Sequence, residues 1–279
     1  MQPELGNQRI KRIGFGAMRL PGLRGDPENA SLAHELLREA VALGANIIDT
    51  AEFYGAGLAN RLIADALKPY PETLIISTKV GVKSGPDGRP EPAATPEEIR
   101  TAVQRDLESL GVSTLDLVFL RLPGGPLPDS GVPMEHSLEC LAELQRVGRI
   151  KQIGLSSASV EQVEAAKSVV SVDAVQNALF IGHLDSLDVA RLCHKESIPF
   201  LAYFPLGMGT LIEKKVDLGP LADAHQATKA QVALAWLLAL SPIVVPIPGT
   251  SSMDHLRENF AALDLVLSPN EVETLSNIT

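Results

Sequence analysis

Asn46-Ile47-Ile48-Asp49-Thr50-Ala51-Glu52-Phe53-Tyr54-Gly55 opens as a short apolar run and breaks at once into a carboxylate, a phenol and a glycine. The form recurs at Leu74-Ile75-Ile76-Ser77-Thr78-Lys79, where an ammonium follows the run. Short apolar runs with polar breaks read as strands buried on both faces, the kind found in parallel sheets. Two such strands side by side bring Asp49, Tyr54 and Lys79 to one end of the sheet. With an ordinary pKa of about 10, a tyrosine is a poor acid at neutral pH. An ammonium beside it, held by a carboxylate, favours the phenolate and lowers that pKa. Such a phenol can protonate a developing alkoxide. The plainer reading, an ion pair that props up the sheet edge, has no use for Tyr54.

Working outward, six further runs share the form: Ile13 to Gly16, Leu117 to Leu120, Ile150 to Gly154, Ala174 to Gln176, Pro199 to Tyr203 and Val244 to Ile247. Between the runs lie segments with apolar residues three and four apart, which predict helices. They are Ser31 to Leu43, Asn60 to Leu67, Thr95 to Leu110, Met134 to Val147, Ser159 to Ser168, Leu187 to His194, Thr228 to Leu240 and Met253 to Ala262. Thr95-Pro96-Glu97-Glu98 supplies an N-cap, a first-turn proline and a capping-box glutamate. Gly44, Gly111 and Gly148 stand where left-handed C-caps are expected.

Eight strand–helix alternations in 279 residues with no linker predict α/β architecture: one (β/α)8 TIM barrel domain over 1–279, in preference to an open doubly wound sheet. In such a barrel the chemistry gathers at the C-terminal ends of the strands. Asp49, Lys79 and Arg121 fall just after the second, third and fourth strands, and Tyr54 lies in the loop after the second. The Gly- and Pro-rich loops Gly81 to Ala94 and Leu122 to Pro133 either shape a substrate mouth or are passive surface excursions.

A net charge of −10 argues against nucleic acid or an anionic membrane as partner. No run approaches the ~18 apolar residues of a membrane span. The polar Met1-Gln2-Pro3-Glu4-Leu5-Gly6-Asn7 lacks the apolar core of a secretion signal, so a cytoplasmic location is expected. Cys140 and Cys193 each fall in a predicted helix without metal-ligand spacing and read as structural thiols. His34, His136, His183, His194 and His225 form no ligand pair, so no metal is expected. Trp236 sits in an apolar helix and reads as core. The absence of GxGxxG after the first strand speaks against a Rossmann dehydrogenase.

From Ile13 to about Leu275 the chain resembles the aldo-keto reductase superfamily. The residues that carry the likeness are Gly14-Phe15-Gly16-Ala17-Met18, Asp49 to Gly55, Ser77-Thr78-Lys79, Gly148 to Ser156, Val175-Gln176-Asn177, Ala202 to Gly207 and Ile247 to Ser252. The resemblance implies metal-free hydride transfer between a nicotinamide cofactor, NADPH ahead of NADH, and a small-molecule carbonyl or alcohol. It makes Tyr54 the general acid, Lys79 the group that lowers its pKa and Asp49 the group that holds Lys79. Most relatives have a histidine after the fourth strand, whereas this chain has Arg121. Arginine keeps its proton, so it cannot relay one, but it can donate to a substrate oxygen and stabilise charge there. It should also lower the phenol's pKa unless Glu52 or Asp49 neutralises it.

Arg121 together with the Asp49 to Gly55 segment and the closing Ile247 to Asn259 stretch is similar to a bacterial subgroup that includes pyridoxal reductases. A pyridoxal phenolate could face Arg121 while its aldehyde faces Tyr54. The likeness puts Ser156, Ser157 and Gln176 at the nicotinamide carboxamide, Tyr203 on its ring, and Leu206 and Gly207 along the pyrophosphate. Gly249, Thr250, Ser251 and Ser252 would cradle an adenosine phosphate, Arg257 would meet the 2′-phosphate, and Glu258 and Asn259 the adenine. Relatives with lysine at position 249 and arginine at 255 differ from this chain, which has Gly249 and His255. The missing histidine motivates an alternative, a catalytically weak NADP(H)-binding sensor or accessory subunit on the same barrel.

Overall fold

The computed structural model describes residues 3–20, 29–86, 88–209 and 217–278. Eight parallel strands follow one another around a sheet: β3 (Phe15–Gly16), β4 (Ile47–Asp49), β5 (Ile75–Ser84), β7 (Leu115–Arg121), β8 (Ile150–Ser156), β9 (Ala174–Ala178), β10 (Phe200–Tyr203) and β11 (Val244–Pro246). A small antiparallel hairpin, β1 (Glu4–Leu5) with β2 (Gln8–Arg9), precedes them. The circle closes where Gly14 N donates to Pro246 O at 3.0 Å and Gly16 N to Pro248 O at 3.1 Å. A Cβ on Gly16 would lie 2.8 Å from Ile247 O, and one on Gly249 would lie 2.4 Å from Gly16 O. Two bare backbones therefore make the seam.

Alternation along each strand divides the core into two layers. Ile47, Ile75, Leu117, Phe119, Leu201 and Val245 fill the barrel, and Leu5 and Ile10 of the hairpin region pack into the same cluster. Ile48, Ile76, Val118, Leu120, Ile153 and Val175 face outward into a larger cluster shared with the helices. Burial on both faces explains why these strands read as unbroken apolar runs.

The surrounding helices are α1 (Ala30–Ala42), α2 (Leu58–Leu67), α3 (Pro96–Leu110), α4 (Met134–Arg146), α5 (Val160–Ala166), α6 (Leu187–Glu196), α7 (Gly219–Ala224), α8 (Lys229–Leu240), α9 (Met253–Ala261) and α10 (Pro269–Ser276). Thr95 and Glu98 make the expected capping box on α3, and Gly111 ends that helix in the left-handed region. Gly44 and Gly148 also have positive φ. Trp236 is fully buried in α8 and donates through Nε1 to Ser276 Oγ at 2.9 Å, which docks α10. Arg12 donates to Leu238 O at 2.7 Å and Ser241 O at 3.0 Å, satisfying carbonyls at the C-terminal end of α8.

The structure corrects the sequence-based expectation in three places. The segment from Gly81 to Ala94 is not all loop, because β5 runs on to Ser84 and pairs with an antiparallel strand, β6 (Pro90–Ala93). Prolines are tolerated there because, among the described residues, β6 pairs with β5 alone, as an edge strand. Lys79 accordingly lies within β5 instead of just after it. Helices α7 and α10 and the β1–β2 hairpin were not anticipated.

Among the described residues no helix is long and apolar enough to cross a membrane, and no group of three His, Cys, Asp or Glu could hold a metal ion. Both cysteines are free and buried, and burial pushes the Cys193 thiol up to about 12.

Candidate active site

Strand register assembles the site. Asp49 pairs with Ser77, Arg121 with Ser156, and Ser156 with Gln176, so side chains from β4, β5, β7, β8 and β9 meet at one mouth of the barrel. Lys79 Nζ donates to Asp49 Oδ2 at 2.6 Å and to Thr50 O at 3.1 Å, and both side chains are only 5% exposed. Asp49 Oδ1 accepts from Ser77 Oγ at 2.9 Å and from Gln176 Nε2 at 2.7 Å. Both carboxylate oxygens are thus occupied, the condition under which a buried ion pair is tolerated. Burial works against the Lys79 charge, yet the ammonium's pKa lies above the ordinary value, with the Asp49 carboxylate the strongest influence in its favour.

Tyr54 is carried by the turn after β4, where Tyr54 N bonds Ala51 O and Gly57 N bonds Glu52 O. Gly55, Ala56 and Gly57 all have positive φ, a reversal that glycine makes inexpensive. Ser84 Oγ, on the extension of β5, donates to Phe53 O at 3.2 Å and ties the turn to the sheet. Lys79 Nζ lies 5.2 Å from the centroid of the Tyr54 ring. Here the sequence-based expectation is reversed. Burial raises the phenol's pKa, and the opposing pull of Lys79 does not offset it. The phenol therefore keeps its proton at neutral pH.

Arg121 ends β7 and lines the same cleft. Its guanidinium donates to Leu122 O and, at 3.2 Å, to Gly124 O, and burial lowers its pKa. The loop carbonyls take only part of its five-donor fork.

The cleft encloses about 1080 Å³. Its wall includes Asp49, Tyr54, Lys79, Arg121, Ser156, Ser157, Gln176, Tyr203, Leu206, Gly249, Thr250 and Ser251, all of them anticipated from the sequence. Ser156 Oγ and Gln176 Oε1 are buried there without a partner among the described residues. A buried polar atom left unpaired costs about 1–3 kcal/mol, so the pair points to a ligand with both a donor and an acceptor. A primary carboxamide has both. Ser157 adopts a left-handed φ of 59° and exchanges a 2.9 Å hydrogen bond with Tyr203 Oη; Phe204 and Met208, at 51° and 56°, are in the same region. Non-glycine residues in this conformation concentrate at ligand sites.

Gly207, Ser252, Arg257, Glu258 and Asn259 do not reach the cleft wall. Ser252 instead caps α9 by accepting from His255 N, and Arg257 Nε donates to Glu39 Oε1 at 2.9 Å, joining α9 to α1. Both Gly- and Pro-rich segments line the mouth, through Val82 and Ser84 of β5 and Pro90 of β6 on one side and through the loop residues Pro123, Gly124 and Leu127 on the other. Sequence reasoning missed the Gln176–Asp49 hydrogen bond, which spans 127 positions and has no local signal.

A phenol that holds a proton, an ammonium below it and unpaired polar atoms beside them are the parts of a barrel oxidoreductase. The aldo/keto reductase family profile matches residues 12–279. Over 282 residues the chain is 43% identical to pyridoxine 4-dehydrogenase of Escherichia coli (strain K12), covering 99% of this chain and 97% of the relative. An aldo/keto reductase from Klebsiella pneumoniae solved in complex with NADP and acetate superposes with a TM-score of 0.83 at 25% identity, covering 97% of this chain and 92% of that one. Another from Klebsiella pneumoniae, in complex with NADPH, gives a TM-score of 0.83 at 25% identity over 99% and 94% of the two chains. The chain belongs to the aldo/keto reductase family of NAD(P)H-dependent oxidoreductases.

Proposed function

We propose that this chain reduces an aldehyde with NADPH, that pyridoxal is such a substrate, and that Tyr54 donates the proton. The observation that carries the reading is the buried Asp49–Lys79 pair below the Tyr54 ring. Ser156, Gln176, Tyr203 and the segment from Gly249 to Ser251 would hold NADPH, which would supply a hydride to the carbonyl carbon. Ser156 Oγ and Gln176 Oε1 suit the donor and acceptor of its carboxamide. Tyr54 gives its proton to the carbonyl oxygen as negative charge develops there. Lys79 then stabilises the phenolate left behind, and Asp49 keeps Lys79 in place and charged.

Burial fits the direction of the reaction. A phenol with a raised pKa is protonated at neutral pH, the form reduction requires. Arg121 offers the donors not engaged by Leu122 and Gly124 to an anionic ring oxygen, which a pyridoxal phenolate provides. The name of the Escherichia coli relative supports pyridoxal, and the nucleotides in the Klebsiella pneumoniae structures support NADPH over NADH.

The test follows loss of reduced-nicotinamide absorbance with NADPH or NADH over pyridoxal, aromatic aldehydes and a quinone. Tyr54→Phe should cut turnover about a thousandfold and leave the NADPH dissociation constant unchanged. Undiminished turnover in that variant removes Tyr54 from the mechanism. Tight NADPH binding with no turnover on any carbonyl would replace the enzyme by a nucleotide sensor.

A further inference from the structure

Behind the cleft, on its helical side, lies a polar network the reaction does not use. Asp106 of α3 is fully buried. Its Oδ1 accepts from Asn60 Nδ2 of α2 at 2.7 Å, and its Oδ2 accepts from Thr78 Oγ1 of β5 at 2.9 Å. Asn60 Oδ1 in turn accepts from Thr50 Oγ1 at 2.8 Å, and Asn60 Nδ2 also donates to Ser109 Oγ at 3.0 Å. Thr78 immediately precedes Lys79 in the chain, and Thr50 O is one of the two acceptors of the Lys79 ammonium. The two arms leaving Asp106 thus end on the two backbone points from which Lys79 is suspended.

We infer that Asp106 is a positioning residue for the active site, fixing Lys79 under Tyr54 through Thr78 on one side and through Asn60 and Thr50 on the other. The inference rests on the proposed role of Lys79. The polarity of the network supports it. Thr50 and Asn60 both donate toward Asp106, and the Asn60 amide is held in that sense by Ser109, whose hydroxyl donates to Arg105 O at 2.7 Å and so accepts from Asn60 Nδ2. A carboxylate at 106 satisfies both arms at once. A carboxylic acid at 106 must place its proton on the Thr78 side, and Thr78 Oγ1 then loses its acceptor.

That change falls within the working range of an enzyme. Burial pushes the Asp106 carboxyl up to about 7, against the hydrogen bonds of Asn60 and Thr78. Glu52, in the turn after β4, adds to the rise, and Lys79, from β5, works against it. Arg105, next to Asp106 on α3, is 3.9 Å from Glu52 and 63% exposed, so solvent screens it. The ionised form of Asp106 therefore both completes the network and adds negative charge near Lys79.

Asp106→Asn tests the idea, because an amide can accept from Asn60 and donate to Thr78 without titrating. With the purified full chain, kcat, KM and the NADPH dissociation constant would be measured against pH, with Tyr54→Phe alongside. The wild-type kcat profile should show an ionisation near pH 7 that is absent in Asp106→Asn. The variant's kcat should be about tenfold lower, the cost of a displaced Lys79, while NADPH binding stays as in the wild type. An unchanged profile and kcat in Asp106→Asn, with Tyr54→Phe inactive, overturns the inference and leaves the reading of the active site intact. An active Tyr54→Phe overturns that reading itself. If Asp106→Asn does not fold, Thr78→Ser and Thr78→Val decide. The serine should keep wild-type kcat and the valine lose it, and equal kcat in the two overturns the inference.

Discussion

At position 121 a side chain that keeps its proton lines the same cleft as Tyr54, the proposed proton donor. Arg121 is not a passive substitute, because its tether to Leu122 and Gly124 also shapes the loop that walls the mouth. Arg121→Leu removes both the tether and the proposed donor to substrate, and kcat/KM for pyridoxal, the proposed substrate, should fall about a hundredfold. Arg121→His should bring an ionisation near about pH 6.5 into the kcat/KM profile, where the wild type has none from this position. Profiles of the two variants that match the wild type would show that Arg121 serves only the loop. Residues 49, 79 and 121 were legible because each charged side chain interrupts an apolar run. The direction of the Tyr54 shift was not, since burial depends on neighbours that the local sequence does not name.

Among the elements, α10 shows what a local pattern can and cannot give. Ser268-Pro269-Asn270-Glu271 has the same form as Thr95-Pro96-Glu97-Glu98, and both make capping boxes, yet only the second was read as a helix start. The short α10 lacks a long apolar stripe, and its docking depends on Trp236 and on His225, whose Nε2 lies 2.9 Å from Glu271 Oε1. The Ser268 backbone N–H and His225 hold the Glu271 carboxyl down at about 2, against an ordinary value of 4.5. A depressed carboxyl stabilises the fold above its unfolded value and loses that contribution as pH falls through its folded one. The Tm of Glu271→Gln should therefore lie below wild type at neutral pH and converge with it as pH falls toward about 2. Parallel melting curves at both pH values would dismiss the cap as a source of stability. The β5–β6 extension escaped notice for a different reason: glycine and proline are the ordinary marks of loops, and only pairing at a sheet edge overrides them.

For the whole molecule, closure of the circle depends on contact between its first and last strands. Because a Cβ at position 249 would overlap Gly16 O, Gly249→Ala should force the seam apart and cost about 1–3 kcal/mol of stability, measured by urea denaturation. A variant as stable as wild type would show that the seam yields freely. The barrel itself was legible, since eight strands buried on both faces leave short unbroken apolar runs and the helices between them leave apolar residues three and four apart. The interior links were not. Gln176 to Asp49 and Asp106 to Thr78 join residues far apart in sequence, and neither partner betrays the other.

The burial of Trp236 also decides how the molecule can be observed. It is the chain's one tryptophan, it lies outside the cleft wall, and its indole N–H is bonded to the last residue of α10. Its emission is therefore a gauge of the outer helical layer. A red shift reports undocking of the C-terminal helix, and a reduced nicotinamide bound at the barrel mouth would reach that signal by energy transfer and not by contact.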